Sequence, residues 1–168
     1  MMTPEKLFKE LTTIYPDISL GGSLMLNQLG LLSRPAKDLD INVPKNSRFI
    51  QTAQFFARIS PCKTLVYGYE ENNNHFRFNL GGVDVCVFVK EDNKSNLQYA
   101  LETKTKYARK DTQSGRKHAS DLREIKHNLY NKPLLYQTLM LAGHLPMDYK
   151  ISDIPYVAQE YIEIDLSF

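Results

Sequence analysis

The fold is decided by Gly-Gly-Ser at residues 21–23, followed after an apolar segment by Arg34 and then by Asp-Leu-Asp-Ile at residues 38–41. Side chains alternate across a strand, so the carboxylates of Asp38 and Asp40 are expected on the same side of a sheet. Like charges held this close repel, and a divalent metal ion is the simplest neutralising partner. A Gly-Gly-Ser turn that opens a helix offers backbone N–H groups to phosphate. The stretch therefore indicates nucleotide chemistry.

A second stretch, residues 81–89, joins two glycines to a β-rich run that contains one acid. Its four valines fall on one face of the predicted strand, whereas Asp84 and Cys86 fall on the other. An acid inside such a strand is costly unless it is paired or bound to a metal ion. Beside Asp38 and Asp40, Asp84 completes a predicted three-carboxylate cluster for two Mg²⁺ ions.

The order of these motifs resembles that of the nucleotidyltransferase (polymerase β-like) superfamily. The matching residues are Gly22, Ser23, Asp38, Asp40 and Asp84. The resemblance implies a Mg²⁺-dependent enzyme that moves a nucleoside monophosphate from an NTP to an acceptor hydroxyl. It also implies that Asp38 and Asp40 bind both metal ions and that Asp84 binds the second one. Asp84 then helps to deprotonate the acceptor for in-line attack on the α-phosphate, and pyrophosphate leaves.

The same resemblance assigns nucleotide binding to the glycine-rich turn. Gly21, Gly22 and Ser23 are expected to hold the β- and γ-phosphate oxygens through the turn's N–H groups and the serine hydroxyl. Arg34 lies just before the acidic pair and either neutralises it or contacts phosphate. An ordinary surface arginine is the open alternative.

A basic stretch in the C-terminal half supplies a further phosphate candidate. Residues 116–122, Arg-Lys-His-Ala-Ser-Asp-Leu, resemble a helix start in small bacterial and phage nucleotidyltransferases of the abortive-infection toxin type. That resemblance makes Lys117 a triphosphate ligand oriented by Asp121, with Lys104 and Lys106 as rivals. A solvated helix face is the competing interpretation of such a charge run.

Length and composition are those of an ordinary globular chain. The protein has 168 residues, a formal net charge of +2 and two cysteines, Cys62 and Cys86. Two cysteines form neither a disulfide framework nor a zinc set, and Cys86 is expected to be a small buried hydrophobe. No apolar run approaches a membrane span and no signal-peptide pattern begins the chain, so a cytoplasmic location is expected.

The hydrophobic periodicity predicts an α/β (α+β) fold with a mixed central sheet flanked by helices. The resemblance implies that residues 1–92 form the nucleotidyltransferase core with the catalytic sheet. It also implies that residues 93–168 form a helical part that completes the cleft of a single compact domain. Helices are predicted over residues 4–14, 23–32, 47–59, 95–107, 116–129 and 134–142, and strands over residues 17–20, 39–43, 64–69, 75–80 and 83–89.

The acceptor and the activity leave alternatives open. A tRNA or other RNA end, or a protein side chain, is favoured over a small molecule because of the basic stretch and the toxin-type resemblance. A catalytically inactive module with the same fold, binding nucleotide, RNA or a protein partner, is the second hypothesis. A chance arrangement of acids in an unrelated α/β domain is the third. A homo-oligomer or a cognate protein partner is compatible with all three.

Overall fold

Residues 1–62 and 74–154 are described by the computed structural model. The predicted strand over residues 64–69 lies outside these residues. In the described part of the chain, no helix combines the length and the apolar character that a membrane crossing requires.

The described chain forms two compact units, of which the first consists of Met1–Leu29 and Ser33–Asn96. Its elements in chain order are α1 (Pro4–Ile14), β1 (Ser19–Leu20), α2 (Gly22–Gln28), β2 (Leu39–Pro44), α3 (Phe49–Ile59), β3 (His75–Leu80) and β4 (Val83–Lys90). The strands pair in the order β1-β2-β4-β3. The β2–β4 pair is parallel, and the two outer pairs are antiparallel. The predicted fold class, a mixed sheet with helices, is confirmed.

One face of this sheet is apolar and forms the core of the first unit. The buried side chains on it are Leu39, Ile41, Val43, Phe76, Phe78, Val83, Val85, Val87 and Val89. They belong to one hydrophobic cluster with Leu7 and Leu11 of α1 and with Phe49 and Ala53 of α3. Burying a side chain of this size contributes about 1.5–3 kcal/mol. A shift of one residue in any strand would turn its apolar set away from the core, so this face fixes the strand register.

The predicted hairpin of residues 75–89 is confirmed. Gly81 and Gly82 form its two-residue turn with φ of 61° and 86°. Glycine adopts both values without the steric cost that a Cβ would bring. The turn sets Leu80 opposite Val83, and every following pair of the β3–β4 ladder follows from that register.

The helix after the glycine-rich turn is shorter than predicted. It was expected to reach residue 32, but α2 ends at Gln28, with Leu29 as its C-terminal cap and Gly30 at φ +75°. A glycine in the left-handed region ends a helix because its φ cannot continue the helical hydrogen bonds. The Asn27 side-chain amide donates to the Arg34 carbonyl oxygen at 2.7 Å, which brings the next segment back towards α2.

The second unit consists of Gly30–Leu32 and the chain from Leu97 onward. Its helices are α4 (Asn96–Ala108), α5 (Gln113–Asn131) and α6 (Pro133–Leu141), followed by a 3₁₀ turn at Ile151–Asp153. The predicted apolar stripe of α5 is buried at Ala119, Leu122, Ile125 and Leu129.

Helix α5 begins one turn earlier than predicted. The helix was expected to begin at Arg116, but it begins at Gln113. The Thr112 hydroxyl accepts a hydrogen bond from the Gly115 N–H at 2.9 Å, which satisfies one of the free N–H groups of the first turn. A threonine cap was therefore the missed signal.

Candidate functional site

The second face of the sheet in the first unit carries the predicted acids. Asp40 on β2 lies opposite Cys86 on β4, and Cys86 lies opposite Arg77 on β3. Two residues closer to the hairpin turn, Asp84 lies opposite Asn79. Paired residues share a face of a sheet, and so do residues two apart on one strand. We call these five residues the carboxylate face. It joins two acids, a cation, an amide and a thiol on three neighbouring strands.

The glycine-rich turn lies directly against this face. Gly22 has φ +58°, and a Cβ built on it would lie 1.8 Å from Oδ2 of Asp40. The Gly21 N–H donates to the Asp40 carbonyl oxygen at 2.9 Å, and a Cβ on Gly21 would lie 2.5 Å from Nδ2 of Asn42. Glycine at position 22 is therefore needed for the close approach of turn and strand. The predicted phosphate turn and a predicted metal ligand are neighbours.

Arg34 also reaches the glycine-rich turn. Its Nη2 donates to the Ser23 hydroxyl oxygen at 3.0 Å, and both side chains are half-buried. Guanidinium and hydroxyl groups are strong donors to phosphate oxygens. Four predicted nucleotide-binding residues are thus brought together in the first unit: Gly21, Gly22, Ser23 and Arg34.

Asp38 differs from the other two acids in its setting. It is exposed and lies in a bend, because β2 begins at Leu39. Within the described residues, no group of three or more His, Cys, Asp and Glu side chains is arranged to hold a metal ion. The three-carboxylate cluster of Asp38, Asp40 and Asp84 therefore stays a prediction.

The carboxylates on this face are enough for Mg²⁺ in a nucleotide site, which needs fewer protein ligands than a site built from protein alone. Mg²⁺ there takes one or two carboxylates and completes its shell with water and phosphate oxygens. Asp40 and Asp84 supply hard carboxylate oxygens from adjacent parallel strands. The missing side chain of Gly22 leaves the space that the Asp40 carboxylate occupies. The chemistry of the face is thus compatible with Mg²⁺ bound together with a triphosphate.

A neutral amide donates to Asp84, and the Arg77 guanidinium interacts with the Asp84 charge. Nδ2 of Asn79 donates to Oδ1 of Asp84 at 2.9 Å, and Oδ1 of Asn79 accepts from the Gly82 N–H at 3.2 Å. The Cys62 thiol donates to the Phe78 carbonyl oxygen at 3.3 Å and also lies within the field of the Asp84 carboxylate.

Both thiols near the acids are held in the protonated form. Burial, followed by the charge and hydrogen bonding of Asp84, raises the pKa of Cys62 to about 11. Burial and the charge of Asp40 raise the pKa of Cys86 well above its ordinary value. Cys86 is half-buried on the carboxylate face. It was expected to be a small buried hydrophobe, but its neighbours across the sheet are polar. A protonated thiol is a poor nucleophile, so neither cysteine suits covalent catalysis at neutral pH.

Removing the charge of Asp84 should make Cys62 more reactive. In a Cys86→Ala background, we expect Asp84→Asn to increase the rate of Cys62 alkylation at pH 8 by about three- to tenfold, because the pKa falls and the thiolate fraction rises. The increase in rate is limited because burial, the larger cause of the raised Cys62 pKa, is unchanged in Asp84→Asn. Iodoacetamide labelling followed by mass spectrometry measures it. The exposed substitution Asp92→Asn is the control, and equal rates in both variants would contradict the assigned contact.

The basic residues of the second unit have different environments. Lys104 is buried, and its Nζ lies 2.7 Å from Oδ2 of Asp121 and 3.4 Å from Nδ1 of His118. Lys117 is exposed, and Lys106 lines a groove of about 460 Å³. The observed partner of Asp121 is Lys104. The predicted roles of Lys117 in triphosphate binding and of Asp121 in orienting it stay predictions.

The sequence interpretation missed the contribution of β3 to the site. Arg77 and Asn79 are two residues apart and face Cys86 and Asp84. The signal was present, because polar residues at positions 75, 77 and 79 alternate with Phe76, Phe78 and Leu80. The apolar residues of this pattern predict the strand, and its polar residues were not assigned to the site.

Comparisons of this chain with protein-family models, curated proteins and solved structures found no match. The superfamily resemblance thus rests on the motifs themselves and stays a prediction.

Proposed function

We propose that this protein is a nucleotidyltransferase that moves a nucleoside monophosphate from an NTP to an acceptor hydroxyl. An RNA or tRNA end or a protein side chain is the favoured acceptor. One observation carries the proposal, namely the close approach of the Asp40 carboxylate to Gly22. It joins an acid suited to Mg²⁺ with a turn suited to phosphate, and a metal-bound triphosphate contacts both kinds of group.

The triphosphate binds at the glycine-rich turn. Ser23 and Arg34, already 3.0 Å apart, supply a hydroxyl and a guanidinium to the β- and γ-phosphate oxygens. The absence of a side chain at Gly22 lets the Asp40 carboxylate lie against the turn, so Mg²⁺ on that carboxylate would be next to the phosphates. Binding of this kind positions the α-phosphate without a covalent enzyme intermediate.

The acids hold the metal and receive the proton. Mg²⁺, held by Asp40 and Asp84 with Asp38, would offset the phosphate charge when it is bound. Asp84 is the base nearest to the hairpin, and its carboxylate is oriented by Asn79 at 2.9 Å. It accepts the proton of the acceptor hydroxyl while that oxygen bonds to the α-phosphorus and the bond to pyrophosphate breaks.

An inactive nucleotide-binding module is the second candidate. The observation that favours it is that the described residues contain no group of three or more potential metal ligands. A protein of this kind would bind NTP through Ser23 and Arg34 but would not transfer it. A labelled-NTP assay with RNA and protein acceptors separates the two, because only the enzyme leaves a labelled product.

The proposal predicts that NTP binding depends on both Mg²⁺ and Asp40. We expect the wild type to bind Mg²⁺–ATP or another Mg²⁺–NTP in calorimetry, and Asp40→Asn to weaken that binding by about 100-fold or more through the lost charge–metal contact. Asp17→Asn removes the same charge from an exposed position of the first unit and should leave binding unchanged. Equal affinity of wild type and Asp40→Asn for all four Mg²⁺–NTPs would overturn the proposal.

A further inference from the structure

Asn79 is held on three sides, although it lies at the edge of the described sheet. Its backbone N–H donates to the Ser60 carbonyl oxygen at 2.7 Å, and the Ser60 hydroxyl donates to the Asn79 carbonyl oxygen at 2.8 Å. The Gly82 N–H donates to Oδ1 of the Asn79 side chain at 3.2 Å. Both the backbone and the amide of Asn79 are therefore fixed by neighbours that are not part of the carboxylate face.

These contacts decide which way the amide points. An asparagine side chain has a carbonyl oxygen that accepts and an NH₂ group that donates, so its orientation follows from its partners. Because Oδ1 accepts from Gly82, the NH₂ group is left facing Asp84, where Nδ2 lies 2.9 Å from Oδ1 of the carboxylate. The hairpin turn thus determines the direction of the donor that Asp84 receives.

The donor is neutral, and this has a chemical consequence. An amide can hold one carboxylate oxygen in place without cancelling the negative charge, whereas a lysine or arginine at this position would compete with a bound cation. Asp84 and Asn79 are both half-buried, so a ligand can still reach the carboxylate.

We propose that Asn79 is the positioning residue for Asp84, setting the orientation in which this carboxylate meets Mg²⁺–NTP and the acceptor proton. The inference rests on the proposed function. Asn79 itself touches neither metal nor nucleotide and acts through Asp84 alone. The amide contributes to metal-dependent affinity and has no part in binding the phosphates.

Asn79→Leu tests this proposal, because leucine has nearly the same shape but no donor. We expect calorimetry to show about ten- to a hundredfold weaker binding of Mg²⁺–ATP, or whichever Mg²⁺–NTP the wild type binds best. Binding of the same NTP in EDTA, which depends on Ser23 and Arg34, should stay within about twofold of wild type. A general structural defect would lower both affinities, so the difference between them is the deciding readout.

Asn74→Leu is the matched control. Nδ2 of Asn74 donates to Oε1 of Glu91 at 3.0 Å, which is the same amide–carboxylate bond on the exposed surface of the same unit. We expect both of its NTP affinities to equal those of wild type.

A second variant guards against misfolding of the first. Asn79→Asp combined with Asp84→Asn exchanges amide and carboxylate but keeps one of each, so it should melt close to wild type while losing the Mg²⁺-dependent affinity. Retention of that affinity in Asn79→Leu overturns the proposal and leaves the proposed function standing. Retention in the exchanged pair overturns the proposal together with the assignment of Asp84 as a metal ligand. Equal losses in Asn79→Leu and Asn74→Leu also overturn it. A folded wild type that binds no Mg²⁺–NTP overturns both.

Discussion

Lys104→Met is expected to lower the free energy of unfolding by about 3–5 kcal/mol. The Lys104 and Asp121 side chains are only 6% and 3% exposed, and their charged atoms lie 2.7 Å apart. Methionine fills the space of the lysine stem but leaves the Asp121 carboxylate buried without its ammonium partner. Losing one member of such a pair costs far more than the intact pair contributes, because the remaining charge stays desolvated. Urea denaturation followed by circular dichroism measures the change.

An exposed pair in the same unit provides the control. Nη1 of Arg116 lies 3.1 Å from Oδ1 of Asp111, with side chains 33% and 70% exposed. Breaking it with Arg116→Met should cost about 0–1 kcal/mol. Lys104→Met combined with Asp121→Leu should recover most of the lost stability, because no buried charge remains. Similar losses in Lys104→Met and Arg116→Met would contradict the assigned burial.

Gly22→Ala is expected to cost about 2–5 kcal/mol of unfolding free energy and to abolish the proposed Mg²⁺–NTP binding. A φ of +58° costs an L-residue about 1–2 kcal/mol. The new methyl group would also lie 1.8 Å from Oδ2 and 2.7 Å from Cβ of Asp40. Relieving that overlap by moving the strand or the turn adds about 1–3 kcal/mol. Thermal and urea unfolding give the stability, and calorimetry gives the binding.

Gly82→Ala separates the two contributions. Gly82 has φ +86°, and a Cβ there would meet nothing within 4 Å, so it carries backbone strain without a clash. Its cost should stay near 1–2 kcal/mol, about that of the strain alone. Asp40→Gly combined with Gly22→Ala should recover the part of the stability that the clash removes. Equal costs for Gly22→Ala and Gly82→Ala would show that turn and acid are not in contact.

Local chemistry explains which parts of the fold were predictable. Thr3 caps α1 by accepting from the Lys6 N–H at 3.2 Å, as the Thr-Pro pair indicates. Gly81 and Gly82 determine the hairpin because two adjacent residues with positive φ are required there. Each of these signals acts over a few residues, so it can be read from the sequence around it.

The parts that were not predictable depend on distant residues. The parallel pairing of β2 with β4 sets Asp40 beside Cys86, and no local pattern specifies which strands become neighbours. Lys104 was predicted to be a rival triphosphate ligand or part of a solvated basic stretch. Its burial was not predictable because it follows from the contact with Asp121, which is 17 residues later. Gly30 was overlooked as the end of α2 because the apolar pattern continues through Leu31 and Leu32.

The two hydrogen bonds between Ser60 and Asn79 also affect solubility. A strand at the rim of a sheet offers unpaired N–H and C=O groups to strands of other molecules, which is a common start of aggregation. Among the described strands, β1 and β3 are the outer ones, and β1 has only two residues. On β3, Ser60 occupies both main-chain groups of Asn79. Loss of the Ser60 hydroxyl would therefore leave the Asn79 carbonyl oxygen free to accept a hydrogen bond from a strand of a second molecule.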